Sequence, residues 1–258
     1  MMDNLFYPGR FEFRMGVERG EAGTFFQSHP GDEALLVKRR QLLAKNPARH
    51  LALLPKGAPL LDEFARLLSG WGVVANLQTI GQEIAPDYLL LKPNDAGMPM
   101  LLGGCVCFPS SWAFEEKVGQ PLDWIHAVVP TLNEKLDGKV RSFLTKMTPG
   151  HAWCRANWGL TASPKLNQHP SLKLPQLTAN TPPETISFRI EQQALIALPK
   201  TNGILFGIRL EVVPLAEVRE NQKARKGLLN ALKTMPAEIA KYKNLSEIQF
   251  PLIRWLQA

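Results

Sequence analysis

Apolar and polar positions alternate most cleanly between Glu184 and Leu215. Ile186, Phe188 and Ile190 interleave with Ser187, Arg189 and Glu191, the period-two pattern of a half-buried strand. A second apolar run, Ile204 to Val213, follows Pro199-Lys200-Thr201-Asn202-Gly203 and stops at Pro214. Two such runs about a Gly-containing turn predict a β-hairpin. Each strand carries an Arg-x-Glu pair, Arg189/Glu191 and Arg209/Glu211, and strand geometry sets each Arg on the face of its own Glu.

Apolar runs also predict buried strands at 86–91 and 99–109, joined by a turn over 92–97, and alternation predicts a strand at 153–160. Gly103-Gly104 reads as a bulge or a position of close packing. Helical spacing appears from Asp32, where acids precede bases; Leu35, Leu36, Leu42 and Leu43 form the buried stripe, and Lys38, Arg39 and Arg40 are expected on the wet side. Leu60, Leu61, Phe64, Leu67, Leu68 and Trp71 mark a second helix that ends at Gly70 and Gly72. Ser110 or Ser111 is expected to cap a short helix over WAFEEKV. Thr131 and Glu134 form a capping-box pattern for a helix with Leu132, Leu136, Val140, Phe143, Leu144 and Met147 on one face. Residues 161–184 read as a long loop, and helical stretches interrupted at Pro236 and Pro251 finish the chain. The aromatic start (Phe6, Tyr7, Phe11, Phe13, Phe25, Phe26) is expected to lie across the domain as extended chain. Helices, two strands, helices, then three strands and helices fit one α+β domain over 1–258 with an antiparallel sheet.

Composition adds bounds. The hydrophobic share of 45% and charged share of 21% are ordinary globular values. The net charge of +7 permits acidic partners, with the bases of the last forty residues as the candidate docking face. Basic residues are not interleaved with aromatics on one face, so nucleic acid is not expected as a partner. No apolar run reaches the ~20 residues of a membrane span, and the N-terminus lacks a signal-peptide layout. Three cysteines without zinc-type spacing fit a reducing, cytoplasmic setting.

Two groups of residues carry candidate chemistry. His126, among Trp124, Ile125, Val128 and Val129, reads either as a metal or heme ligand or as a core histidine bonded to a carbonyl. Arg155, Arg189 and Arg209 interrupt apolar strands, and Arg is seldom buried unpaired. Glu191 and Glu211 are the partners expected. The set reads either as a polar cluster for a carboxylate or amine or as exposed cross-strand pairs of little energetic weight.

Four ordered segments resemble a known family. They are Pro86-Asp87-Tyr88-Leu89, CFPSSWAFEEKVGQPLDWIHAVVP (107–130), Arg155-Ala156-Asn157-Trp158, and FRIEQQALIALPKTNGILFGIR (188–209) with Pro214-Leu215. They resemble the heme-dependent oxidative N-demethylase alpha-subunit family. The resemblance implies a PAS-like antiparallel sheet with flanking helices that holds heme b. It implies a small secondary amine as substrate, oxidised with dioxygen to the shorter amine and formaldehyde. A separate flavin and iron–sulfur reductase would be the electron donor. Carried over residue by residue, it makes His126 the candidate iron ligand and sets Glu191 against the substrate ammonium. Arg189, Arg155 and Arg209 would anchor propionates or hold Glu191. Two positions depart from the family pattern. Gln192 stands where Arg is usual, which bears on cofactor binding, and Ala127-Val128-Val129-Pro130-Thr131 replaces Ala-Pro-Val-Pro-Gly. The alternative to an enzyme is a PAS-like sensor module that binds heme or another ligand without turnover.

Overall fold

The predicted hairpin is the spine of an antiparallel sheet. The computed structural model describes residues 5, 6, 9–12 and 14–258, apart from the side chains of 135–137. Tyr7, Phe13 and the Leu136 side chain lie outside these. Among the described residues the strands are β1 (Glu18–Gly20), β2 (Leu51–Leu53), β3 (Asp87–Pro93), β4 (Pro99–Cys105), β5 (Ala152–Thr161), β6 (Ser187–Leu198) and β7 (Gly203–Pro214). They form one sheet in the order β1-β5-β6-β7-β3-β4-β2, antiparallel at every pairing. Helices α1 (Ala22–Phe26), α2 (Asp32–Lys45), α3 (Pro47–His50), α4 (Ala58–Gly70) and α5 (Ile80–Glu83) precede β3. Between β4 and β5 run α6 (Leu122–His126) and α7 (Leu132–Thr145). After β7 come α8 (Leu215–Glu220), α9 (Gln222–Thr234), α10 (Ala237–Tyr242) and α11 (Gln249–Gln257). The protein is α+β.

Turn length decides which side chains share a face. Leu198 pairs with Gly203 and Ser187 with Pro214 without a break in register. Odd-numbered residues of β6 therefore share a face with even-numbered residues of β7. The turn itself is fixed from α4. Buried Glu63 accepts from the Lys200 and Thr201 backbone N–H groups, both at 2.9 Å, and from the Thr201 hydroxyl at 2.6 Å.

One sheet face is fully covered. Over its β5–β6 half, Trp158, Leu160, Phe188 and Ile190 meet α8–α11 through Leu215, Leu228, Leu232 and Leu252. Over its other half, Tyr88, Leu90, Ile196 and Leu205 meet α2 and α4 through Leu43, Leu60, Phe64 and Leu68. Each such fully buried Leu or Phe contributes about 1.5–3 kcal/mol. The second face is covered only in part. There Leu89, Leu91, Leu101 and Ile204 pack under Phe114, Ile125, Val140 and Leu144 of the α6–α7 layer.

Four sequence expectations change. Phe25 and Phe26 lie in helix α1, not in extended chain. Arg39 is fully buried, not on the wet side. Its guanidinium pairs with Asp87 and donates to the Gly81 carbonyl at 2.9 Å, which satisfies a charge that burial alone makes costly. Residues 111–119 are turns, not a helix, because Ser110 is committed to the sheet and Ser111 takes a left-handed φ of 63°. The helix at 132 forms without its capping box, since Thr131 sits at φ 59° and its side chain caps nothing. The glycine pair behaves as expected: a Cβ on Gly104 would lie 2.2 Å from the Tyr88 carbonyl oxygen, and the β3–β4 register shifts between Leu90 and Leu91.

Candidate active site

The site lies on the partly covered sheet face, where the α6–α7 layer stops. Register assigns Arg155 and Asn157 of β5, Arg189, Glu191 and Gln193 of β6, and Ile208 and Leu210 of β7 to this face. Glu191 is directly opposite Asn157 on one side and Leu210 on the other. To one side, Phe143 of α7 packs edge-on to Trp153 with ring centroids 5.5 Å apart. To the other, the loop after β5 brings the Lys165 and Leu166 carbonyls against Arg189. Between these covers Glu191, Gln193, Ile208 and Arg155 are half-buried and Asn157 is exposed.

Glu191 is held from two sides. Gln193 donates to its Oε2 at 2.9 Å, and the Ser110 hydroxyl donates to its Oε1 at 2.5 Å. The same hydroxyl accepts from Arg189 Nη2 at 3.0 Å. Arg189 is 3% exposed, and its remaining donors go to the Lys165, Leu166 and Phe108 carbonyls. Burial pushes the guanidinium down to about 10, against the opposing pull of Glu191 and Asp87, so it stays cationic at neutral pH. Ser110 is the residue the sequence reading missed, having been assigned to a helix cap. Its only sequence signal is its place just past Pro109 in the family-like segment.

Behind Glu191, at the end of α10, the Lys243 ammonium donates to the Trp158 carbonyl at 2.8 Å and lies 4.8 Å from the Trp158 ring centroid. Burial pushes it down to about 8, with Glu191 opposing and Arg155 reinforcing the fall. Burial and Glu191 raise the Tyr242 phenol. A carboxylate with fixed hydrogen bonds and a partly open face is suited to hold a cationic ligand or to accept its proton.

The structure does not bring every expected residue together. Arg209 and Gln192 face each other across β6 and β7, and odd–even parity puts them on the opposite sheet face from Arg189 and Glu191. Arg209 pairs there with Asp32 at 3.0 Å and donates to the Phe25 carbonyl. It serves neither Glu191 nor Glu211, correcting the partners expected from sequence. Glu211, opposite Ile190, also lies on that face. His126 ends α6, half-buried, inside the layer that partly covers the site face. A buried histidine in contact with a carbonyl occurs at His50, whose Nδ1 lies 2.9 Å from the Val106 oxygen.

Two polar atoms in this region bear on whether a further group fits. Among the described residues, Trp153 Nε1 and Thr131 Oγ1 are buried without a hydrogen-bond partner, a state that costs about 1–3 kcal/mol each. Trp153 shares the site face, and Thr131 opens α7. On the site face, Trp153 and half-buried Phe206, Ile208 and Leu210 make an apolar surface with one unused polar atom, which fits a large flat cofactor.

The profile of one family, described as haem-dependent oxidative N-demethylase, alpha subunit-like, matches residues 64–253. The chain belongs to this family. In this member of the demethylase alpha-subunit-like family, the match runs from within α4 to within α11 and so contains β3–β7 with Ser110, His126, Arg155, Arg189, Glu191 and Arg209. Among the described residues, no helix is long and apolar enough to cross a membrane.

Proposed function

We propose that the chain is the heme-carrying subunit of an oxygen-using oxidative N-demethylase acting on a small secondary amine. The whole chain would work as one PAS-like domain, supplied with electrons by a separate flavin and iron–sulfur reductase. The observation that carries the reading is Glu191: a half-buried carboxylate, fixed by Ser110 and Gln193, on the open part of the sheet face of a family member. In this reading the residues of that face would hold heme b, with His126 as the iron ligand and Arg155 for a propionate. When bound, heme supplies dioxygen activation and the electron-transfer chemistry of the demethylation.

The protein's own residues do the rest. Glu191 holds the substrate ammonium through a charge-assisted hydrogen bond and accepts its proton when the neutral amine is required. Ser110 and Gln193 each leave a lone pair of the Glu191 oxygens available and keep the carboxylate in one rotamer. Arg189 orients the Ser110 hydroxyl toward Glu191 by taking its lone pair. Its own charge is satisfied by three carbonyls, so it does not compete with the amine for Glu191. The departure at Gln192 falls on the opposite face and leaves this arrangement intact.

The test supplies heme-loaded protein with a reductase or chemical electron donor, dioxygen and dimethylamine. Formaldehyde release that Glu191→Gln abolishes supports the reading. Amine-dependent spectral change without formaldehyde would replace it with the sensor alternative.

A further inference from the structure

Beside Glu191 the site face carries a hydrogen-bonding group that the amine reading leaves unused. Each Glu191 oxygen already accepts one hydrogen bond, from Ser110 or from Gln193, and keeps a lone pair for a ligand. A secondary ammonium has two N–H groups that diverge at the tetrahedral angle. Near-linear hydrogen bonds from both therefore call for a second acceptor beside the carboxylate. Asn157 is in that position. It is the direct cross-strand partner of Glu191, and side chains so paired have Cβ atoms ~4.5–5.5 Å apart on one face. Asn157 is exposed, and among the described residues its side-chain amide makes no hydrogen bond. On the other side of Glu191 stands Leu210, which offers no acceptor.

Space for an alkyl group lies next along β5. Gly159 shares the face of Asn157 and stands opposite Arg189, whose guanidinium is turned to Ser110 and the loop carbonyls. A Cβ built on Gly159 would meet nothing within 4 Å, and Gly159 is not among the glycines with positive φ. Neither close packing nor backbone conformation demands glycine there, and its missing side chain leaves open space diagonal to Glu191. We infer that Asn157 and Gly159 set the amine specificity: the ammonium gives one N–H to Glu191 and the other to the Asn157 amide oxygen, with one N-alkyl group over Gly159. This rests on the assignment of Glu191 to the amine. When Glu191 takes its proton, that N–H bond breaks and the electron pair stays on nitrogen. The N–H on Asn157 then keeps the neutral amine in place. A tertiary amine, with a single N–H, satisfies one acceptor only, so the pair favours secondary amines.

Calorimetric titration with dimethylamine and trimethylamine tests this, with heme content matched between variants from the absorption spectrum. Asn157→Leu should cut the preference for dimethylamine over trimethylamine by about fivefold or more, the loss of one hydrogen bond to a cation. Asn157→Asp keeps an acceptor oxygen and should retain the preference. Gly159→Ala should weaken dimethylamine about fivefold or more by filling its space, while the urea midpoint holds or rises. A preference that Asn157→Leu leaves unchanged overturns the Asn157 assignment, and full dimethylamine affinity in Gly159→Ala overturns the placement over β5. If Glu191→Gln still abolishes binding in those cases, the amine reading stands and this inference alone fails. Amine binding that survives Glu191→Gln, or is absent from the wild type, sinks the amine reading and this inference together.

Discussion

Arg189 and Glu191 lie two residues apart on one face of β6, yet they are joined through the Ser110 hydroxyl, not by a direct ion pair. The arrangement lets a buried guanidinium steady a carboxylate without neutralising it. Arg189 spends its charge on carbonyls, and Glu191 keeps its charge for a ligand.

Ser110→Ala removes the link and leaves the Arg189 carbonyl contacts in place. A hydrogen bond to a charged group is worth about 1.5–3 kcal/mol, so amine affinity should fall roughly tenfold or more. Stability should fall as well, by about 1–3 kcal/mol, because buried Arg189 Nε loses its acceptor. Parallel amine titration and melting of the variant measure both.

Arg209 is bound to Asp32 and the Phe25 carbonyl on the covered face. Arg209→Ala leaves Asp32 buried without its guanidinium, at a cost of about 3 kcal/mol. Heme loading should be unaffected. Urea unfolding should show the loss, and the heme-to-protein absorbance ratio should match wild type; a lost heme signal in a folded variant would return Arg209 to the cofactor.

Glu63 sets the hairpin turn through three hydrogen bonds. Glu63→Leu strands two backbone N–H groups, which predicts a loss of about 2–4 kcal/mol. The loss should appear in urea unfolding as a lower midpoint with an unchanged slope.

Lys243 gives a pH signature. Its folded-state value of about 8 lies below the ordinary 10.5. Between those values the unfolded chain binds a proton that the folded chain does not, so this group makes stability rise with pH. The gain is complete above the unfolded value and is lost as pH falls through 8. The stability difference between wild type and Lys243→Met should shift in favour of wild type from pH 7.5 to pH 10, measured by urea midpoints without ligand.

Strands and helices were legible where periodicity was strong, as in the 186–213 hairpin and the 58–70 helix. The pairing of faces was not, because it depends on turn length: four residues between Leu198 and Gly203 set Arg209 opposite Gln192 and away from Glu191. Two equivalent Arg-x-Glu pairs on the page become one site pair and one covered pair in space. Arg39 misled because a cation in a helix reads as wet when its partner, Asp87, lies 48 residues away. Ser110 was hidden for a similar reason, its partners being 79 and 81 residues distant. Lys243 looked like one more base in a basic C-terminal segment. Long-range polar partnerships leave no periodic trace.

The central claim is that the open sheet face binds heme beside Glu191. Titrating hemin into heme-free protein while recording the Soret band tests it most directly. The account predicts a saturable equimolar complex, a Soret band shifted or weakened by His126→Ala, and an amine-induced spectral change that Glu191→Gln abolishes while heme stays bound. Hemin spectra that never saturate, or that are identical in wild type and both variants, would contradict it.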